Sequence, residues 1–383
     1  MPTAKPFTID IPRSTVAHIL DRVRAFEWPD APEGGGWAYG TELQTMKDLQ
    51  AYWLDGYDWY AAQARMNQFP QFLARPLDLD IHFIHVRSNA ARRRPLIVSH
   101  GWPGSIVEFL DVIDPLAHPE KFGGSVEDGF DVIAPSLPGY GFSQKPKKPM
   151  SPRTAARHFD ALMTDVLGYT DYLAQGGDWG SAISGWLGYE GRGCKAVHLN
   201  MMGWISPGVT HDTPEEKAHQ AKFQAGFEAE GAYFRMQSTK PLTLSYGLMD
   251  SPMGVAAWIV EKFKGWSDLD GGRLESVYTK DQLLTNVMVY LATRTFGTAS
   301  WMYRGLFEDP GGPPIPPKSR VEKPVAVARF PVDLIPFPPR SQVEKSLNVQ
   351  RWTEFPRGGH FAAMERPTDL IGDIRAFGRQ IYG

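Results

Sequence analysis

Gln175-Gly176-Gly177-Asp178-Trp179-Gly180-Ser181 reads QGGDWGS and stands between two different patterns. Before it runs Tyr172-Leu173-Ala174, a short apolar stretch that suits a buried strand. After it runs Ala182-Ile183-Ser184-Gly185-Trp186-Leu187, which suits a helix. Gly176 and Gly180 flank Asp178 symmetrically, as a sharp, strained turn requires. Strand, Gly-x-nucleophile-x-Gly, helix is a turn that exposes its middle side chain at the end of a sheet. The usual occupant is serine. Here it is aspartate, and the chemistry follows from that difference.

A serine nucleophile suits acyl transfer, because the acyl-enzyme is an ester that water cleaves. Serine attacking an alkyl carbon would leave an ether, which the same machinery does not hydrolyse. A carboxylate attacking an alkyl carbon leaves an ester instead. Water then attacks the aspartate's own carbonyl. The turn therefore predicts an alkyl electrophile, an epoxide or an alkyl halide. With a reference pKa of about 3.9, Asp178 is ionised at pH 7 unaided. A histidine is then free to act as general base for water in a second step.

Outward from the turn the pattern is α/β. Pro95-Leu96-Ile97-Val98-Ser99 and Phe130-Asp131-Val132-Ile133-Ala134-Pro135 are apolar runs expected of strands covered on both faces. A helix over 151–167 and strands over 171–175 and 196–200 complete a strand-helix alternation that predicts a mostly parallel sheet flanked by helices. With the turn at its centre this is an α/β-hydrolase core, first part 91–205. Residues 1–90 form a mixed N-terminal arm. Thr8–Pro12 predicts a strand there, Ser14 a cap for a helix over 15–26, 43–69 helices and 79–86 a strand. Residues 206–318 read as a helical cap, with helices over 213–237 and 254–263. A loop over 310–317 returns the chain to the second part of the core, 319–383, with a strand over 324–328 and a last helix over 370–382. No internal repeat is present.

Composition bounds the class. The chain has 383 residues, 42% hydrophobic and 22% charged, which suits a globular protein with a large core. A net charge of −3 implies no field that would gather nucleic acid or an anionic membrane. The single cysteine, Cys194, excludes an intrachain disulfide. The opening MPTAKPFTIDIPR carries no long apolar run, so neither signal peptide nor membrane anchor is expected and the expected compartment is the cytoplasm. His82 and His85 have a tempting spacing for a metal, but on a strand they face opposite ways. No metal and no cofactor are expected, and Gly34-Gly35-Gly36 lacks the context of a phosphate loop.

The second step needs a base, an acid to orient it, an oxyanion hole and a closed pocket. His100-Gly101-Trp102-Pro103-Gly104-Ser105 follows the strand ending at Ser99, where this fold supplies a backbone N–H to an oxyanion. Pro103 has no N–H, so Trp102 is the candidate donor, and Trp179 is the second. His100 is read as orienting this loop. Gly358-Gly359-His360-Phe361 lies where the base belongs, and Phe330-Pro331-Val332-Asp333 where the acid belongs. Glu308, Asp309 and Glu322 compete with Asp333 for that role. Asp178, Asp333, His360 is the required chain order.

HGWPGS, GGDWGS and GGHFAAMERP, with FPVDL as the acid motif, resemble the epoxide hydrolases of the microsomal and juvenile-hormone type. Trp28-Pro29-Asp30, Gly36-Trp37-Ala38-Tyr39-Gly40, Tyr57-Asp58-Trp59 and Ile81–His85 resemble the N-terminal arm of that family, which dehalogenases lack. Thr239-Lys240-Pro241 and Asp250–Ile259 resemble its cap, so the likeness covers nearly the whole chain. The sequence departs from the family after Tyr57-Asp58-Trp59, and again at Trp301-Met302-Tyr303-Arg304-Gly305. The resemblance implies two cap tyrosines that hold the epoxide oxygen, at Tyr233 and Tyr303. It implies a small apolar epoxide and water as partners; relatives are often homodimers, and the chain itself shows no obvious signature of oligomeric state. Two other classes stay open. A haloalkane dehalogenase would share Asp178 and His360 but not depend on the tyrosines. A receptor for apolar ligands on the same scaffold would bind with little turnover.

Overall fold

A computed structural model describes residues 3–309 and 315–383. Among these residues nine strands form one sheet: β1 Lys5–Phe7, β2 Gln71–Ala74, β3 Ile81–Val86, β4 Pro95–Ser99, β5 Asp131–Pro135, β6 Tyr172–Gly176, β7 Cys194–Leu199, β8 Val321–Arg329 and β9 Leu347–Glu354. Their spatial order is β1-β2-β3-β5-β4-β6-β7-β8-β9. The pairings from β1 to β5 are antiparallel, and those from β5 through β4 to β9 are parallel. This is the α/β-hydrolase fold.

Every residue of β4, β5 and β6 is buried, as strands with helices on both faces require. Each Val, Leu or Ile taken fully out of water there contributes roughly 1.5–3 kcal/mol. The helix Asp178–Glu190 runs along β4, β6, β7 and β8 with Pro152–Ala161 beside it, while Pro367–Tyr382 packs on β7 and β8. Because the strands from β5 to β9 are parallel, their carboxyl ends share one edge. Ser99, Gly176, Leu199, Arg329 and Glu354 end there, and the loops that follow them are where a site in such a sheet is built.

Among the described residues six α-helices stand between β7 and β8: Pro214–Glu230, Ala232–Thr239, Pro241–Leu248, Pro252–Trp266, Lys280–Ala292 and Phe296–Glu308. Capping boxes open two of them, Thr213 with Glu216 and Thr279 with Gln282. The N-terminal segment is tied to these helices. Thr41 donates to the Ala257 carbonyl at 2.7 Å, the Tyr52 hydroxyl donates to Asp281 at 2.9 Å, and the Tyr57 and Thr285 hydroxyls lie 3.2 Å apart.

Several local expectations are corrected. Thr8–Pro12 is not a strand; β1 lies earlier. Asn67 and Gln63 side chains accept from the Ile9 and Ile11 N–H groups, and Asn67 donates back to Ile9, so polar side chains replace a strand partner. Ser14 does not cap its helix, which starts at Arg13 after Pro12. Strands β2 and β9 were not expected. β2 has four residues, and β9, at the sheet edge, is mostly half-buried and carries too few apolar positions to stand out. Residues 310–314 of the expected return loop lie outside the described residues. Beyond these, buried Asp373 accepts from Arg351 at 2.7 Å and Thr353 at 2.6 Å and meets His198 at 3.1 Å, joining β7, β9 and the last helix. Burial opposes its charge, but these partners hold its carboxyl well below the usual range.

His82 is buried between Gln71 and Ser136, at 2.8 and 2.9 Å, and His85 meets the Tyr169 hydroxyl at 3.0 Å. Among the described residues no cluster of His, Cys, Asp or Glu is arranged to hold a metal. No described helix is long and apolar enough to cross a membrane.

Candidate active site

The elbow forms because two glycines let backbone meet backbone. A Cβ on Gly176 would stand 2.2 Å from the Gly180 backbone, and one on Gly180 would stand 1.9 Å from the Ser99 carbonyl oxygen. Between them Asp178 takes a left-handed conformation, φ 47°. Aspartate enters that region more readily than most residues, yet the position remains strained. The turn aims the carboxylate into the edge where the loops after β4, β8 and β9 converge.

Its two oxygens have different surroundings. Oδ1 accepts the Trp102 N–H at 2.7 Å. The Trp179 N–H also favours the charged form of the carboxylate. Oδ2 faces His360 Nε2 at 3.6 Å. On its other side His360 Nδ1 meets Asp333 Oδ1 at 2.8 Å. That bond fixes the ring so that Nε2 points at Asp178. The Leu334 N–H holds the same Asp333 oxygen at 2.7 Å, and the His360 N–H donates to the Trp266 carbonyl at 3.0 Å. Asp178, His360, Asp333 and the two N–H donors are thus brought together. Glu308, Asp309 and Glu322 do not reach His360: Glu308 pairs with Arg304, Asp309 accepts from Ser151, and Glu322 pairs with Arg320.

Burial opposes charge on His360, but Asp333, Asp178 and Glu108 outweigh it and lift the imidazole to about 9. Burial likewise raises Asp178, while His360 and the N–H groups of Trp102 and Trp179 pull it back. The charges of His360 and Asp178 thus favour one another against burial. His100 stays out of this exchange. Burial lowers it to about 4, its Nδ1 donates to the Gly101 carbonyl at 2.9 Å, and its Nε2 accepts the Leu137 N–H at 3.2 Å.

Tyr233 and Tyr303, from adjacent helices, are buried above Asp178 with ring centroids 5.9 Å apart. Tyr233 stacks on Trp102 at 5.2 Å, and Tyr303 sits edge-on to Trp179 at 4.7 Å. Burial and then the nearby Asp178 charge raise the Tyr233 phenol; burial, Tyr233 and Asp178 raise Tyr303. Both are protonated at neutral pH. A cavity of about 410 Å³ joins Asp178 and both tyrosines to Trp179, Trp204, Phe223, Phe227 and Phe307. A larger cavity of about 570 Å³, beside Arg75, Lys147 and Asp309, shares no wall with it and holds none of these groups.

Three neighbours went unread in the sequence. Trp266 lies 4.8 Å from the His360 ring. The Lys262 ammonium lies 4.7 Å over the Tyr233 ring. The charges of His360 and Asp178 both bear on the Glu108 carboxyl. None belongs to a pattern that spacing alone reveals, although Glu108 lies only four residues beyond Gly104 of the HGWPGS stretch.

Known proteins resemble this chain over nearly its whole length. A family model described as "Epoxide hydrolase N terminus" matches residues 4–109, and one described as "alpha/beta hydrolase fold" matches 94–229. The chain is 38% identical to a putative epoxide hydrolase of Stigmatella aurantiaca, over 98% of this chain and 85% of that one. The structure of Aspergillus niger epoxide hydrolase superposes with a TM-score of 0.86 at 32% identity, covering 99% of this chain and 96% of the other. The juvenile hormone epoxide hydrolase of the silkworm Bombyx mori superposes with a TM-score of 0.87 at 28% identity, with the same two coverages.

Proposed function

The chain belongs to the epoxide hydrolase family and is an epoxide hydrolase, and we propose that Asp178, His360, Asp333, Tyr233 and Tyr303 carry its reaction. The observation that supports this best is the unequal environment of the Asp178 oxygens, one held by the Trp102 N–H at 2.7 Å and one open towards His360 and the cavity.

In the first step Oδ2 attacks an epoxide carbon from the face opposite its C–O bond. That bond breaks, its electron pair moves to the oxygen, and Tyr233 or Tyr303 supplies a proton. The result is a hydroxyalkyl ester and a tyrosinate. The tyrosinate is restored by the imidazolium proton, which leaves His360 neutral. In the second step His360 Nε2 takes a proton from water, and the water oxygen attacks Asp178 Cγ. The charge develops on Oδ1, where the Trp102 and Trp179 N–H groups already point. Collapse expels the diol alkoxide, which takes the carboxyl proton. Carboxylate and imidazolium are regenerated.

A halide needs no proton on leaving, so two buried phenols beside the nucleophile favour an epoxide over a haloalkane. The aromatic wall of the cavity suits a small apolar substrate. We read residues 206–318 as the cap over the core parts 91–205 and 319–383. Residues 1–90 are the arm that fastens it through Thr41, Tyr52 and Tyr57.

A single turnover of styrene oxide in water labelled with heavy oxygen, enzyme in excess, tests the ester route. The expected result is unlabelled diol and label in the peptide bearing Asp178. Labelled diol with an unlabelled Asp178 would instead mean direct attack by water. The tyrosines have their own test. Tyr233→Phe and Tyr303→Phe should each slow ester formation about 10–100-fold, less than a sole general acid would cost because the other phenol remains. Ester hydrolysis should be unchanged in both. Equal slowing of both half-reactions would count against the assignment.

A further inference from the structure

Lys262 carries a charge that the steps above leave unused. It lies one turn before the end of the Pro252–Trp266 helix and is only 4% exposed. Lysine is seldom buried so fully, because an ammonium taken out of water is costly unless it is paired. Its partner is the preceding residue: the Glu261 carboxylate lies 2.8 Å away, with its own side chain partly open to solvent. That pair does not by itself call for burial, since the same two neighbours would meet in water on an exposed helix face.

What burial achieves is to seat the ammonium over an aromatic ring. Lys262 Nζ lies 4.7 Å from the centroid of Tyr233 and 5.9 Å from that of Trp266, one helical turn further on. Both distances are within reach of a ring quadrupole. Trp102 lies parallel to the Tyr233 ring at 5.2 Å, and Trp266 is tilted against it at 5.3 Å. Tyr303 stands differently. Trp102, Trp179, Tyr233 and Phe234 all meet it edge to face. Among the described residues no ammonium or guanidinium lies over its ring.

The two phenols are therefore not equivalent when the epoxide opens. The electron pair of the breaking C–O bond passes to the epoxide oxygen, which takes a proton from a phenol. The pair of that O–H bond stays behind on a tyrosinate. Negative charge thus leaves Asp178 and arrives on one ring. A neutral ring holds the ammonium by its quadrupole alone. A tyrosinate spreads its charge into the ring and meets the ammonium as an opposite charge in a water-poor site. The attraction grows along the reaction, which is what acceleration requires. We propose that Lys262, seated over Tyr233, stabilises its tyrosinate and so makes Tyr233 the acid of ring opening, leaving Tyr303 to hold the oxygen by a hydrogen bond. Burial and the Asp178 charge both raise the Tyr233 phenol, so unaided it is a reluctant acid. Lys262 is not part of the cavity wall and acts only through the ring, as a positioning residue.

The inference rests on the ester route proposed above. Lys262→Met keeps the stem and removes the charge, while Glu261 retains its access to water. With styrene oxide, rapid quenching and intact mass, ester formation in this variant should fall about 5–20-fold and ester hydrolysis should stay within about 2-fold of wild type. Lys262→Arg keeps the charge and should stay within about 3-fold in both half-reactions. Added to Tyr233→Phe, Lys262→Met should cost nothing further. Added to Tyr303→Phe, it should cost its full factor. Ester formed at the wild-type rate in Lys262→Met would overturn the proposal. So would equal slowing of both half-reactions, or the same loss in both tyrosine backgrounds. Lys262→Arg as slow as Lys262→Met would also overturn it and leave Lys262 a packing residue. His360→Gln serves as control: absence of any ester there would refute the Asp178 route and not the role of Lys262.

Discussion

Asp178→Ala is expected to abolish diol formation, with a loss on the order of 10⁵-fold or more, comparable to removing the nucleophile from other covalent hydrolases. No other group in the cavity replaces it. Tyr233 and Tyr303 are phenols held neutral by burial, and neither is a nucleophile at neutral pH. Asp333 is turned away, bound to His360 Nδ1 and the Leu334 N–H. The fold should survive the change. Alanine at φ 47° costs about 1–2 kcal/mol. Against that, a carboxylate whose ionised form is disfavoured by burial is removed. The two act in opposite directions, so thermal unfolding should move by only a few degrees while activity disappears. Asp178→Asn is a poorer test, because asparagine at such a turn deamidates back to aspartate and recovers activity with time. Turnover by freshly purified Asp178→Ala above about 10⁻³ of wild type would sink the nucleophile assignment.

The site was legible in the sequence to an unequal degree, for physical reasons. Asp178 announced itself because the elbow imposes local constraints: Gly176 and Gly180 are required by contacts within two or three ångströms. His360 and Asp333 were placed by chain order, since parallel strands deliver successive loops to the same edge. Glu108, Lys262 and Trp266 carry no such mark. They reach the site through helices whose side chains look like ordinary surface or core positions, and only the packing of one helix on another places them. The same holds for the fold. The buried strands β4 to β6 stand out as continuous apolar runs. Edge strand β9 does not, because half its face is open. The arm's entry at Ile9 and Ile11 alternates like a strand, but its partners are the side chains of Asn67 and Gln63, a long-range pairing that no local pattern encodes.

His360→Gln should separate the two half-reactions. Attack on the epoxide needs the Asp178 carboxylate and a phenol, and both remain. Hydrolysis needs a group that accepts a proton from water, and an amide cannot. Ester decay should therefore fall by roughly 10²–10⁴-fold, the range for loss of a general base. Epoxide should convert one chain to its adduct and stop, seen as a mass increase of one substrate per chain and a burst of one equivalent. The pH dependence carries the sign. In the free enzyme Asp333, Asp178 and Glu108 hold His360 at about 9 against burial. Esterification removes the Asp178 charge, so the pKa falls in the intermediate and neutral imidazole forms when it is needed. Wild-type ester hydrolysis should weaken as pH drops through this lowered value, and the variant should lose that dependence. Ester formation should respond in the opposite sense. The His360 charge lowers the Asp178 pKa, so without it Asp178 protonates at higher pH and alkylation fails sooner on acidification. Stability follows the same linkage. A histidine raised from 6.5 to about 9 on folding contributes stability that is fully present below 6.5 and is lost as pH rises through about 9. The gap in melting temperature between wild type and His360→Gln should close across that window. A variant that clears its ester at the wild-type rate, or a gap that widens with pH, would mean that His360 is not the base and that its pairing with Asp178 and Asp333 serves only to hold the site together.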